Sequence, residues 1–333
     1  MFASEILSAG MYVPPGIVTN NDLSKFMDTT DEWITQRSGI KERRWVAPEV
    51  TTSDLALKAA EEAIQKAGIA KEEIDLIVFA TLSPDHEFPG TGVFLQHKLG
   101  LAGCASLDIR QACSGFLYGL SVADQFIKTG MYKTVLLVGA EIHSKGMDKS
   151  TRGRDVAVLF GDGAGAVILR RTDVNNPSRI LSTHLHAEGA HAQELWVQAP
   201  GMNMGGDRMT MGMIEEGMQY PKMNGKKVFT HAIRRMAEVL HEGLAQNNMK
   251  LEDIDLFLFH QANLRINEMV AQELKIPAEK VFSTIQNYGN TTAATIPIGM
   301  SEAVRAGQLK KGMLVASAAF GSGFTWASAI YRW

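Results

Sequence analysis

Cys113 stands where a short apolar run, LDI at 107–109, turns through small residues toward an amphipathic stretch that opens near Gly115. A thiol at such a junction faces the unpaired N–H groups of a helix N-terminus, which favour the thiolate and can also hold an oxyanion. That is the pattern of a nucleophile, although a lone cysteine among apolar residues is often only core. Two further residues give it company. His260 ends the apolar run IDLFLF (254–259), and Asn290 precedes the small-residue segment TTAAT (291–295). A thiolate, with an imidazole and a carboxamide as N–H donors toward developing charge, can perform acyl transfer. The same residue types could serve a cysteine hydrolase, in which the histidine is a general base and the asparagine orients it.

The elements that must position these groups are repeated. Residues 62–79 (EAIQKAGIAKEEIDLIVF) and 242–259 (EGLAQNNMKLEDIDLFLF) align without a gap at an offset of 180, with identical pairs that include Glu72/Glu252, Asp75/Asp255 and Phe79/Phe259. Each copy reads as an amphipathic helix, a turn and a short apolar strand suited to a sheet covered on both faces. The chain is therefore expected to fold as two duplicated halves sharing one core, residues 1–171 with the nucleophile and 172–333 with the histidine and asparagine. His260 falls where the first half has Ala80. Cys113 lies 17 residues before Gly130 and Asn290 lies 17 before Gly307, a spacing that pairs Cys113 with Asn290. Polar groups at strand and helix ends converge where such halves join.

Composition narrows the function. A chain of 333 residues, 45% of them hydrophobic, has ample core, and a net charge of −3 gives no electrostatic case for nucleic acid or an anionic membrane surface. No apolar run approaches a membrane span. Two cysteines, Cys104 and Cys113, cannot make a disulfide framework, so a cytoplasmic location is expected. FGDGAGAV (160–167), between strand-like AVLF and AVIL, reads as a turn in a sheet rather than a phosphate loop. His184 and His186 lie two apart on a strand without acidic or cysteine partners at metal spacing, so no metal site is expected.

LDIRQACSGFLYGL (107–120), FLFHQANLRI (257–266), NYGNTTAATIP (287–297) and FGSGFTWASAIYRW (320–333) resemble, in order, the motifs of the β-ketoacyl-acyl carrier protein synthase III family. The similarity runs from TNNDLSKFMDTTDEWITQRSGIKER near the N-terminus to the last residue. It implies a thiolase-like five-layered α/β/α/β/α fold and a homodimer. It also implies a decarboxylative condensation of acyl-coenzyme A with malonyl-acyl carrier protein, needing no cofactor beyond these carriers. Cys113 would be the nucleophile, and His260 with Asn290 the enolate donors. A coenzyme A site would fall on Trp33, Arg37 and Arg152. Phe88, reaching across a dimer, would join Phe229 and Asn263 at the acyl tunnel. Arg265 would belong to a basic patch for the acidic carrier protein.

Three departures stand out. Ser322 occupies a position where the family usually has glycine and where a backbone N–H completes an oxyanion hole. Gln272 and Glu273 stand where acetyl-primed relatives commonly carry lysine. Seven of the 17 methionines fall in 202–223, inside the irregular stretch at about 187–225, which suggests either a mobile cap over a long acyl tunnel or a loop whose methionines cover the sheet. A longer or unusual starter, a malonyl-coenzyme A extender, or a thioesterase activity are the alternatives these departures leave.

Overall fold

The computed structural model describes residues 2–333. One sheet contains β1 (Phe2–Tyr12), β2 (Leu76–Ala80), β3 (Ala105–Ile109), β4 (Thr134–Glu141) and β5 (Gly163–Asp173) in the order β1-β5-β4-β2-β3. A second contains β6 (Ile180–Ala187), β7 (Leu256–Phe259), β8 (Leu314–Gly321) and β9 (Thr325–Arg332) in the order β6-β9-β8-β7. Direction matches strand for strand. β4/β2 and β8/β7 are parallel, whereas the β5 and β9 pairings are antiparallel. Where the first sheet adds β3, the second has only a parallel bridge from Phe257 to Val281.

Seven helices matter to the site: α1 (Asp31–Ser38), α2 (Thr52–Ala67), α3 (Thr91–Leu99), α4 (Gly115–Lys128), α5 (Gly225–Gln246), α6 (Leu264–Glu273) and α7 (Thr295–Arg305). α4 and α7 form the middle layer. Phe116, Leu117 and Leu120 of α4 and Ile296 and Met300 of α7 share one core with Val78 and Val135 of the first sheet and Leu258 and Val315 of the second. α2 and α3 cover the outer face of the first sheet, and α5 and α6 that of the second. Five layers result. Being covered on both faces, β4 and β8 are buried along their whole length, which is why TVLLVGA and LVASAAF read as unbroken apolar runs. Each fully buried Leu or Phe here contributes about 1.5–3 kcal/mol over its exposed state.

The offset of 180 persists through the fold, taking β2 to β7 and β4 to β8. It also takes the 3₁₀ turn Ala112–Ser114 to the turn Thr292–Ala294. Both turns open on a residue with positive φ, 45° at Ala112 and 50° at Thr292. This corrects the pairing of Cys113 with Asn290, because the residue that matches Cys113 is Ala293. The count back from Gly130 and Gly307 misled because those glycines follow helices of unequal length, 14 residues in α4 and 11 in α7.

Each turn packs on the central strand of the opposite half, and a glycine makes room for it. A Cβ on Gly139 of β4 would collide with the Ala293 carbonyl oxygen, and one on Gly321 of β8 would lie 2.8 Å from Cys113 Cβ. Cys113 of the first half is thus pressed against the second.

Candidate active site

Cys113, His260 and Asn290 meet on a cavity of about 450 Å³, although they come from three separate elements. Cys113 is carried by the turn before α4 and is buried. Burial, reinforced by the nearby Glu141 carboxylate, pushes its thiol up to about 12, outweighing the lowering effect of its own backbone N–H and the Thr292 hydroxyl. Desolvation thus opposes the favour that a helix N-terminus offers the thiolate, and the resting group is the thiol. Glu141 is itself buried and pushed up to about 7, even though Thr81, Leu82 and Ser83 donate to it.

His260 follows β7, and its backbone N–H donates to the Ala318 carbonyl at 2.9 Å. Its Nδ1 lies 2.7 Å from Thr295 Oγ1, while Nε2 is buried without a protein partner. Burial lowers the imidazole to about 3, only partly opposed by the Thr292 carbonyl, so the ring is neutral at physiological pH. Asn290 is tied in by two backbone bonds, donating to Leu159 and accepting from Gly161. Its Oδ1 accepts the Thr292 N–H at 2.8 Å, which turns the Nδ2 amide away as a donor. A neutral imidazole and an oriented carboxamide beside a thiol suit a developing oxyanion better than proton abstraction.

The mouth of the cavity holds Trp33 and Arg37 from α1, Phe229 from α5, and Asn263 with Arg265 at the start of α6. The Arg37 guanidinium lies 4.3 Å from the Trp33 ring centre, and Arg154 lies 4.8 Å from it. Arg152, the third expected residue, is instead held by Asp148 at 2.6 Å and the Glu215 carbonyl at 3.1 Å. The second cation beside Trp33 is Arg154, two residues further along TRGRD. Asn263 caps α6 through the Arg265 N–H and donates to the Arg37 carbonyl at 2.9 Å, which fastens α6 to α1 at the mouth. Arg265 stands 5.6 Å over the Phe229 ring.

A second cavity, about 580 Å³, opens on the other side of Cys113. Ile142, His143, Leu195, Trp196, Val197 and Ser322 are among its walls. Phe229 and Asn263 line the first cavity, and Phe88, expected to reach across a dimer, is 83% exposed and lines neither cavity of its own chain. Ser322 lies on the second cavity, while Gly321 lines the first and touches Cys113. In the methionine-rich segment, Met202 and Met211 point outward, Met223 lines the first cavity, and Gln219 and Pro221 join Leu195, Trp196 and Val197 in the walls of the second.

His184 and His186 do find an acidic partner in space, Glu242 of α5, at 3.3 Å and 2.6 Å. A separate group, Glu188, His191 and His231, brings its ligand atoms within 4.8 Å of one another, with Glu188 also paired to Arg235 at 2.6 Å. Sequence reasoning missed Thr292 and Thr295, whose only signal was their place in NTTAAT, and the buried pair His143 Nε2 and Thr292 Oγ1, 2.6 Å apart.

Residues 107–189 match the family described as 3-oxoacyl-[acyl-carrier-protein (ACP)] synthase III, and residues 244–333 match its C-terminal region. The chain is 46% identical over 330 residues to a β-ketoacyl-[acyl-carrier-protein] synthase III of Xanthomonas euvesicatoria, covering 99% of this chain and 98% of that one. The crystal structure of the 3-oxoacyl-[acyl-carrier-protein] synthase III of Aquifex aeolicus is similar at TM-score 0.90 and 43% identity, over 99% and 100% of the two chains. That of the Thermus thermophilus enzyme is similar at TM-score 0.90 and 39% identity, over 99% of each. The architecture is the thiolase fold, and the protein is a condensing acyltransferase. Among the condensing enzymes, the chain belongs to the β-ketoacyl-acyl carrier protein synthase III family. No helix among the described residues is long and apolar enough to cross a membrane.

Proposed function

We propose that this chain joins an acyl group from acyl-coenzyme A to a two-carbon unit from malonyl-acyl carrier protein, with Cys113, His260 and Asn290 as the working groups. Cys113 sulfur attacks the thioester carbonyl, its proton leaves with the coenzyme A thiol, and the acyl group stays on sulfur. Malonyl thioester then enters by the same mouth. Its C–C bond to the carboxylate breaks, CO₂ leaves, and the electron pair forms an enolate whose oxygen accepts from His260 Nε2–H and Asn290 Nδ2–H. The enolate carbon attacks the acyl carbonyl, the bond to Cys113 breaks, and the β-ketoacyl carrier protein departs.

The observation that carries this reading is the buried His260 Nε2 without a partner, on a neutral ring, in the cavity that also holds Cys113 and Asn290. A hydrolase would need that ring to accept a proton from water, and an imidazole lowered to about 3 is a poor base at neutral pH. Trp33 with Arg37 and Arg154 is the proposed adenine and phosphate site, in place of Trp33, Arg37 and Arg152. Arg37, Lys226 and Arg265 ring the mouth and offer positive charge to an acidic carrier protein. The second cavity is the proposed acyl site. In a cytoplasmic homodimer, the exposed Phe88 would belong to the contact between copies. Residues 1–171 would supply the nucleophile and 172–333 the enolate donors.

Intact-protein mass spectrometry after incubation with acyl-coenzyme A of increasing chain length tests the reading, followed by malonyl-acyl carrier protein or malonyl-coenzyme A with CO₂ monitored. An adduct on Cys113 that disappears as CO₂ is released is the expected result, with none on Cys113→Ala. His260→Ala and Asn290→Ala should load without condensing. An adduct that decays to free acid without a malonyl donor would overturn the proposal and make the protein a thioesterase.

A further inference from the structure

Thr295, first residue of α7 and almost fully buried, places its hydroxyl oxygen 2.7 Å from His260 Nδ1 and 3.0 Å from the Thr292 carbonyl oxygen. One hydroxyl proton serves only one of these acceptors at a time. The Thr292 carbonyl already receives the backbone N–H of Thr295, so it does not depend on the hydroxyl. The imidazole does depend on its neighbour, because a neutral ring carries one proton and the hydrogen bond at one nitrogen decides the state of the other.

We infer that Thr295 donates its hydroxyl proton to His260 Nδ1 and thereby holds the imidazole in the tautomer whose Nε2 carries hydrogen. This rests on the decarboxylative reading above, in which Nε2–H must meet the enolate oxygen. In the opposite tautomer, Nδ1–H points at the Thr295 oxygen or the Thr292 carbonyl. Nε2 then presents a lone pair to a developing negative charge, and the donor becomes a source of repulsion. Thr295 is a positioning residue in this scheme, since it acts only through the ring.

The duplicated fold supplies an internal control. At the offset of 180, His260 and Thr295 correspond to Ala80 and Gly115. A Cβ on Gly115 would lie 3.3 Å from Ala80 Cβ, so the same approach of strand end to helix start exists in the first half, with no polar group on either side. The layers pack there without a hydroxyl. Packing does not call for Thr295, whereas the imidazole does.

The test compares Thr295→Val, which keeps the shape and loses the proton, with Thr295→Ser, which keeps the proton. Acyl loading of Cys113 should be unchanged in both. In Thr295→Val, the turnover number for CO₂ release from malonyl-acyl carrier protein should fall about 10²-fold with little change in KM, the loss typical of one oxyanion donor. Thr295→Ser should recover most of it. In ¹⁵N-histidine NMR of the full chain, the His260 proton should sit on Nε2 in wild type and Thr295→Ser, and move to Nδ1 in Thr295→Val. Wild-type decarboxylation by Thr295→Val, an equal loss in Thr295→Ser, or a wild-type ring protonated on Nδ1 would each overturn the inference. Should Thr295→Val fail to fold, the wild-type tautomer still decides. A wild-type protein that loads acyl groups yet never releases CO₂ would refute the parent reading instead, leaving the tautomer assignment to stand or fall by NMR.

Discussion

Cys113 should be a slow thiol until a substrate occupies the site. Burial and the Glu141 charge push it up from the ordinary value of 9.0 to about 12. Below pH 9 the thiolate fraction is then about a thousandfold smaller than that of an ordinary thiol, equivalent to about 4 kcal/mol. Alkylation by iodoacetamide, followed by intact mass and peptide mapping from about pH 6 to about pH 10, measures this directly, because only the thiolate reacts. The rate at Cys113 should rise about tenfold per pH unit across the whole range without levelling. Cys104, half-buried and also raised by burial, is the only other thiol and reports the bulk reagent. A plateau at Cys113 at or below about pH 8 would refute the reasoning, since it would mean that the N-terminus of α4 outweighs desolvation.

Other outcomes follow from the same geometry. Removing Arg154 should raise KM for acyl-coenzyme A about fivefold, matching about 1 kcal/mol of cation–π contact, while Arg152→Ala should leave it near wild type; steady-state kinetics with both variants decides. Glu141, raised from 4.5 to about 7, prefers its protonated form in the folded state. Its contribution to stability is therefore complete below about pH 4.5 and lost as pH rises through about 7, a swing of about 3 kcal/mol. In urea unfolding, Glu141→Gln should flatten that decline between about pH 5 and about pH 8, and it should also speed alkylation of Cys113 by removing the neighbouring charge.

The five layers were legible because the duplication is written in gapless sequence and because strands covered on both faces read as continuous apolar runs. That Cys113, His260 and Asn290 share one cavity was legible, yet the symmetry that relates them was not. Gly130 and Gly307 look like matching stops, but α7 is three residues shorter than α4 and the turn after it longer by the same amount, so the spacing to a glycine carries no register. Arg152 and Arg154 flank one residue in TRGRD, and only the short helix begun at Arg154 turns one of them toward Trp33. Thr292 and Thr295 were invisible because a hydroxyl announces no chemistry until an imidazole lies against it.

Two cavities meeting at one sulfur impose an order of traffic. On the proposed reading, the acyl chain waits behind Cys113 while both thioester carriers use the same entrance past Trp33 and Arg37. The departing and arriving carriers therefore cannot coexist, and each excludes the other from the unloaded enzyme. A cell rich in malonyl donor and poor in starter would hold the protein idle, its entrance filled by the wrong partner, so the ratio of the two thioesters becomes a throttle on flux.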